Sequence, residues 1–361
     1  MSKKVLMKGN EAFAEAAIRG GCRYYFGYPI TPQNEIPEYM SRELPKHGGH
    51  FIQAESEISA INMAYGAGAA GGRVFITSSS PGIALMQEGF SFLCSAEVPT
   101  VILNVARGGP GIGTIQPSQA DYFQATRGGG NGDYMIPVFA PSSIQEGADL
   151  VYEAMELADK WQNPVYILTD GILGQMMEPV ELPEPVDGLK SEDIRKQKSW
   201  ALTGYGSDDS KRNVVKSLRL VPDELEKHVQ KLFEKYTRAE KELVRVETTG
   251  LEDAEAVIVA FGTVARIAKE AIEMLAAQNI KIGLIRPISL RPFPYTAFEK
   301  LAAKTKVVIS AELSMGQMIQ DVKLGVSGRF PIKLLNRTGG MIPTPLEIAD
   351  RTKKILEEIG G

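Results

Sequence analysis

Short apolar runs recur through the first half of the chain and are separated by stretches with helical periodicity or dense small residues. Tyr24-Tyr25-Phe26, His50-Phe-Ile-Gln-Ala54, Val74-Phe-Ile-Thr77, Val101-Ile-Leu-Asn-Val105 and Val165-Tyr-Ile-Leu-Thr169 have the length and β-branched content of buried strands. Apolar residues at helical spacing predict helices over Glu11–Arg19, Ser56–Ala70, Ile83–Ala96 and Ile144–Trp161. That alternation is the pattern of a parallel sheet covered on both faces by helices. Such sheets place ligands beyond the carboxyl ends of their strands. Three segments that follow strand-like runs are thereby directed to one edge: Tyr28–Pro32, Glu57 and Arg107.

The pattern changes at about residue 186. Asp187-Gly-Leu-Lys190 and Gly206–Arg212 are polar and turn-rich, and Pro222 then opens a helix whose Leu225, Val229, Leu232, Phe233, Tyr236 and Leu243 recur at helical spacing. This helix is expected to pack across a domain surface. Its polar face carries both charge signs, unlike a helix that lies on an anionic membrane. From residue 251 the alternation restarts with Ala256–Phe261, a helix over Val264–Ala277, Lys281–Ile285 and Lys306–Ser310. The organisation expected is therefore α/β with two doubly wound domains, at 1–185 and 251–361, joined by a connector at 186–250.

Bulk composition narrows the function. The 361 residues carry 40 basic and 44 acidic side chains, mixed along the chain, for a formal charge of −4. No electropositive face is implied, so nucleic acid is not an expected partner. No apolar run approaches the roughly 18 residues of a membrane span, and the start turns polar at Gly9-Asn10-Glu11. The reading is of a soluble, cytoplasmic protein that does not engage a membrane. Two cysteines, Cys22 and Cys94, and three histidines provide neither an iron–sulfur ligand set nor a zinc site, so no metal is assigned to this chain.

Three local motifs can carry chemistry. Tyr28-Pro29-Ile30-Thr31-Pro32 places one hydroxyl between two prolines that restrict the backbone, which suits a pre-aimed ligand contact as well as an ordinary strand-to-helix turn. Glu57 opens a helix, Glu57-Ile-Ser-Ala-Ile-Asn-Met-Ala-Tyr-Gly66, whose small residues admit another backbone closely; a favourable partner of the helix dipole is the simpler role, and Glu55 could fill that role equally. Arg107 follows a strand and begins Arg107-Gly-Gly-Pro-Gly-Ile-Gly113, which lacks the Lys-Ser/Thr ending of a phosphate-binding loop and the spacing of a dinucleotide fingerprint. A mobile or tightly turned active-site lip fits it better. Gly262-Thr263 lies at a strand-to-helix junction where an anion could bind, but no ligand is assigned to it.

Together these motifs resemble the alpha subunit of the 2-oxoacid:ferredoxin oxidoreductases, closest to the 2-oxoisovalerate and 2-oxoglutarate branches. The strand, Glu57 and the alanine- and glycine-rich helix to Gly66 resemble the pyrimidine-binding element of thiamin diphosphate enzymes, Tyr28–Pro32 resembles the family's substrate loop, and Asn104–Pro110 follows a strand as in that family. Arg286–Pro294 and Arg337–Pro343 extend the likeness over nearly the whole chain. The resemblance implies a pyrimidine-binding (PYR-type) domain followed by a smaller transketolase C-terminal-like domain. It implies that Glu57 hydrogen-bonds the aminopyrimidine N1′ of thiamin diphosphate and is the catalytic and cofactor-binding residue. Thr31 would meet the substrate's carboxylate or keto oxygen, Arg107 would pair with the carboxylate, and Tyr28, Pro29 and Ile30 would complete the substrate loop.

The diphosphate-binding half of such a site is missing. The family of thiamin enzymes uses Gly-Asp-Gly followed by Asn, whereas the nearest match is Gly132-Asp133-Tyr134 with no suitable asparagine-bearing turn beyond it. Mg2+ and [4Fe-4S] clusters are therefore expected on partner subunits: a beta subunit that binds the diphosphate, a gamma and a ferredoxin-like delta subunit. The complete enzyme would convert a 2-oxoacid and coenzyme A to acyl-CoA and CO2 and reduce ferredoxin. The tail Gly339–Pro345 favours 2-oxoisovalerate; 2-oxoglutarate comes next and needs a second cation, for which Arg127 is a candidate. Half of a non-oxidative thiamin decarboxylase or transferase, or a non-catalytic binding module, are the alternatives.

Overall fold

The computed structural model describes residues 4–186, 197–204 and 212–360. The polar stretches 187–190 and 206–211 of the expected connector lie outside the described residues. In the first unit the elements follow in the order β1 (Val5–Lys8), α1 (Gly9–Arg19), β2 (Tyr24–Gly27), α2 (Glu35–Glu43), β3 (His50–Gln53), α3 (Glu57–Ala69), β4 (Val74–Ser78), α4 (Ser80–Leu85), α5 (Gln87–Ser95) and β5 (Thr100–Ala106). After them come α6 (Tyr122–Arg127), β6 (Val138–Phe139), α7 (Ile144–Trp161), β7 (Pro164–Asp170), α8 (Gly171–Gln175) and β8 (Met177–Val180). The helix read as continuous from Ile83 to Ala96 is two, because the backbone turns at Met86 between α4 and α5.

The second unit contains the helix Pro222–Leu243, β9 (Val246–Thr249), β10 (Ala256–Val259), the helix Gly262–Ala276, β11 (Ile282–Pro287), β12 (Ser289–Arg291), β13 (Val307–Glu312), the helix Ile319–Val326, β14 (Ile332–Asn336) and the helix Pro345–Gly360. Its sheet runs β14-β13-β10-β11-β9, parallel except for the antiparallel edge strand β9. The first sheet runs β12-β6-β7-β5-β4-β2-β3, parallel from β6 to β3. Its last strand, β12, is contributed by the second unit and pairs antiparallel with β6. The chain thus crosses back, and the second unit completes the sheet of the first.

Strands β4, β5 and β7 are buried at every position, which explains why their sequences are continuously apolar instead of alternating. One face of the first sheet packs on α1 and α7. The other face forms one apolar layer with α3, α5 and the second unit, in which Tyr122 meets Phe261 at a ring-centroid distance of 5.7 Å. The helix Pro222–Leu243 lies across the first unit, where Ala239 and Leu243 join its core and the His228 ring nitrogen Nε2 lies 2.7 Å from the Ser95 carbonyl. Leu225 and Phe233 belong to its apolar series by spacing but stay exposed.

One set of polar contacts between the units lies around residues 118–127, and Arg286 and Arg245 of the second unit add ion pairs to Glu146 and Glu153 of the first. Gln119 donates to the Phe261 carbonyl at 2.8 Å and accepts from the Leu313 amide at 3.1 Å, while Gln317 accepts from the Phe123 amide at 2.7 Å. Asp321, 1% exposed, receives the Tyr122 hydroxyl at 2.6 Å, the Tyr295 hydroxyl at 2.5 Å and the Arg127 guanidinium at 2.7 Å. Removing that carboxylate leaves the exposed Arg127 and Tyr295 and the buried Tyr122 hydroxyl without their acceptor. Asp321→Ala is expected to cost about 2 kcal/mol in urea unfolding, the scale for leaving the buried Tyr122 hydroxyl without an acceptor; a loss below about 0.5 kcal/mol would show that the apolar layer alone holds the units together.

Candidate active site

The three predicted segments follow the carboxyl ends of β2, β3 and β5, and the segment after β4 lies between the last two. β2 ends at Gly27, and Tyr28–Gln33 leaves the sheet with Tyr28 and Pro29 exposed and Ile30 and Thr31 half-buried. The loop is pinned from beneath. Buried Gln33 accepts from the Thr77 hydroxyl at 2.6 Å, Thr77 shares a 2.7 Å hydrogen bond with the Tyr25 hydroxyl, and the Pro32 carbonyl accepts from Asn10 at 2.8 Å and from Gln175 at 2.9 Å. Thr31 Oγ1 has a long 3.4 Å contact from the Asn34 amide.

Arg107, at the end of β5, is 8% exposed and reaches back to this loop. Its Nη1 donates to the Thr31 carbonyl at 2.9 Å and its Nη2 to the Ile112 carbonyl at 3.0 Å, so one planar guanidinium joins the proline loop to the glycine lip. Nε is buried without a partner. The lip itself is tightly turned: the Thr114 amide donates to the Gly108 carbonyl at 2.8 Å and the Gly108 amide to the Gln116 carbonyl at 2.9 Å. Gly113 sits at φ +56, where a Cβ would overlap the Gly108 carbonyl.

Glu57 begins α3 behind its N-cap Ser56, whose hydroxyl accepts from the Ser59 amide at 3.3 Å. The Glu57 side chain turns inward and is 5% exposed, whereas Glu55 is exposed and bonded by Ser56 and Ser59. Burial in this position is more than a dipole partner needs. Among the described residues its carboxylate has one hydrogen-bond partner, the Ser78 hydroxyl, at 3.5 Å. Gly82 lies directly against it, and a Cβ there would overlap both the carboxylate and Ser78.

The link between Glu57 and Arg107 is the run Ser78-Ser79-Ser80-Pro81-Gly82, which the sequence reading passed over. Ser80 Oγ accepts from the Arg107 amide at 2.9 Å and donates to the Arg107 carbonyl at 3.1 Å. Ser79 Oγ is fully buried and unpartnered. The available signal was a serine run closed by Pro-Gly directly after a strand. Asn104 and Asp121 continue the cluster at 2.7 Å, and burial raises the Asp121 carboxyl above its ordinary range.

A cleft of about 520 Å3 opens beside Thr31, lined by Asn34, Glu35, Ile115, Ile172, Gln175 and Ile342 among others. Burial pushes the Glu35 carboxyl up, but hydrogen bonds from Asn10, its own backbone amide, Gln175 and Lys8 outweigh it and hold the group below its ordinary value. Arg127 is absent from this lining. It is committed to Asp321 at the contact between the units, so it supplies no cation beside Thr31. The Gly132-Asp133-Tyr134 loop lines a separate groove with Ser91 and His228. Gly262 faces the Gln119 amide of the first unit, so the helix it opens has its N-terminus at the contact between units. No described helix is long and apolar enough to cross a membrane, and the described residues contain no group of three or more His, Cys, Asp or Glu arranged to hold a metal ion.

Residues 15–248 match the profile of the pyruvate flavodoxin/ferredoxin oxidoreductase thiamine diphosphate-binding family, and residues 254–348 match pyruvate:ferredoxin oxidoreductase core domain II. The chain belongs to the 2-oxoacid:ferredoxin oxidoreductase family. It is 48% identical to ketoisovalerate oxidoreductase subunit VorB of Methanothermobacter marburgensis, over 98% of both chains. It is 36% identical to 2-oxoglutarate synthase subunit KorA of Methanocaldococcus jannaschii, over 96% of this chain and 98% of that one. Among solved structures, a 2-oxoglutarate:ferredoxin oxidoreductase from Magnetococcus marinus superimposes with a TM-score of 0.86 at 27% identity, covering 98% of this chain and 66% of that chain. The chain therefore spans about two-thirds of that solved chain. A split-gene transketolase, at 17% identity and a TM-score of 0.58, shares the fold.

The family's cofactor fits what the site offers. An inward carboxylate with one long hydrogen bond, set closely against a glycine where no larger residue would fit, suits a protonated or proton-sharing ring nitrogen. Gly82→Ala is expected to displace the Glu57 carboxylate, lowering stability by about 1–3 kcal/mol in chemical unfolding and abolishing turnover of the assembled enzyme; an unaltered enzyme would show that this cradle is not required. Glu35 gives a pH test. Because its carboxyl is held below the ordinary value of 4.5, it adds stability above that pH that is lost as pH falls through the folded value. Glu35→Gln should therefore flatten the decline of the melting temperature below about pH 4.5, and parallel declines would show that Glu35 is not the source.

Proposed function

We propose that this chain is the alpha subunit of a coenzyme A-dependent 2-oxoacid:ferredoxin oxidoreductase that prefers branched-chain 2-oxoacids such as 2-oxoisovalerate. The observation that carries the reading is the convergence of buried Glu57 with Thr31 and Arg107 at one sheet edge, joined through Ser78–Gly82 and the 2.9 Å contact from Arg107 to Thr31. The 48% identity to a ketoisovalerate oxidoreductase subunit and the isoleucines of the cleft support a branched aliphatic substrate. 2-Oxoglutarate is the second candidate, supported by the KorA relatives.

Thiamin diphosphate, when bound, supplies the electron sink for decarboxylation at C2 of the 2-oxoacid. Glu57 would hold a proton at N1′ of its aminopyrimidine ring, in a water-poor position where that contact is not diluted by solvent. Thr31 Oγ1 would donate to the substrate's carboxylate or keto oxygen. The Arg107 guanidinium retains Nε and the remaining Nη protons after its two carbonyl contacts, and would pair with the carboxylate that is to leave. Tyr28, Pro29 and Ile30 would shape the loop around the keto group. The diphosphate, Mg2+ and the [4Fe-4S] clusters would be held by beta, gamma and ferredoxin-like delta partners, with ferredoxin as the external electron acceptor.

The test is Glu57→Gln in the complex assembled with its partner subunits, assayed by dye reduction with 2-oxoisovalerate and 2-oxoglutarate. Turnover is expected to fall at least about a hundredfold while assembly persists, the low end for loss of a positioned proton-transfer group. Near-normal turnover would refute the assignment.

A further inference from the structure

One wall of the cleft belongs to the second unit. The segment 337–343 leaves β14 and returns to the helix Pro345–Gly360, and both ends are anchored: the Arg337 amide donates to the Glu312 carbonyl at 3.3 Å, Arg337 pairs with Glu347 at 2.7 Å, and Arg351 donates to the Asn336 carbonyl at 3.0 Å. Between these anchors the backbone passes Gly339 at φ +64 and Gly340 at φ +88. There it lies flat on the lip. A Cβ added to Gly108 would stand 3.3 Å from the Gly340 amide, and one added to Gly340 would overlap the Gln116 side chain. Two residues later Ile342 faces the same cleft as Thr31, Ile115 and Ile172.

The chemistry of that wall is aliphatic. No lysine or arginine lines the cleft, and its one charged group, Glu35, is already bonded by Lys8, Asn10 and Gln175. A branched hydrocarbon chain gains from leaving water against three isoleucines, whereas a second carboxylate finds no cation there.

From these placements we infer that Ile342, carried by the second unit, is a specificity-determining residue that receives the aliphatic branch of the 2-oxoacid. The inference rests on the function proposed above and adds that substrate choice depends on how the two units are joined. The first unit holds the reacting carboxylate and keto group through Thr31 and Arg107. The second unit adds Ile342 to the aliphatic surface that Ile115 and Ile172 of the first unit begin.

The experiment uses the complex assembled with its partner subunits and compares kcat/KM for pyruvate, 2-oxoisovalerate and 2-oxoglutarate. Ile342→Ala removes the wall and is expected to lower the ratio of 2-oxoisovalerate to pyruvate about tenfold or more, the scale of discrimination by hydrocarbon contacts in a pocket. Ile342→Lys places a cation at the same point and should raise the ratio of 2-oxoglutarate to 2-oxoisovalerate by about tenfold. Ratios within about threefold of the wild type in either variant that assembles overturn the inference. Its failure is distinct from failure of the function: in the first case the wild-type complex still turns over 2-oxoacids and Glu57→Gln still abolishes this, and in the second it does not.

Discussion

The site depends on the Arg107 guanidinium reaching across two loops. Its two bonds to backbone carbonyls, one on the proline loop and one on the glycine lip, hold together segments that lie 76 and 5 residues from it in sequence. A lysine could make either contact but not both in one plane. The arrangement has a second layer, since Ser80 holds both the amide and the carbonyl of Arg107 while its neighbours Ser78 and Gly82 bound the Glu57 carboxylate. A shift of the serine loop would therefore move the acid and the cation at the same time. That coupling gives a physical reason for placing the Ser-Ser-Ser-Pro-Gly junction between β4 and α4 at the end of a fully buried strand.

The division into two units is less complete than either sheet suggests. Strand β12 crosses to the first sheet, the two units share an apolar layer, and Asp321 draws donors from both. The lip on the first unit rests on the 337–343 segment of the second. The cleft is therefore built mostly by the first unit and closed on one side by Ile342 of the second, so its shape depends on the interface between them. Arg127 illustrates the competition for charged groups: a cation suited by sequence to a substrate carboxylate is held instead by a buried carboxylate of the protein.

Much of the fold was legible in the sequence because its signals are local. Apolar runs such as Val101–Leu103 mark strands covered on both faces, and helical periodicity marks the helices over them. The break at Met86 was not legible, since Ile83–Ala96 remains apolar at helical spacing across it and the turn is imposed by packing. Leu225 and Phe233 satisfied the same periodicity but found no surface to cover. In the site, Tyr28–Pro32, Glu57 and Arg107 stood out by composition and spacing, whereas Ser79, Ser80 and Gly82 carry side chains too common to stand out until their neighbours are known.

By itself the sequence determined the alternation of strands and helices and the residue types available for chemistry, because these follow from periodicity and backbone restriction along one chain, and its resemblance to known proteins pointed to the family. Only the tertiary structure decided that Glu57 and not Glu55 turns inward, that Arg107 bridges two loops, that Arg127 is already paired, and that Ile342 lines the same cleft as Thr31. Each of these depends on which side chains meet across distant parts of the chain, where hydrogen bonds, burial and charge are settled by neighbours that spacing in sequence cannot reveal.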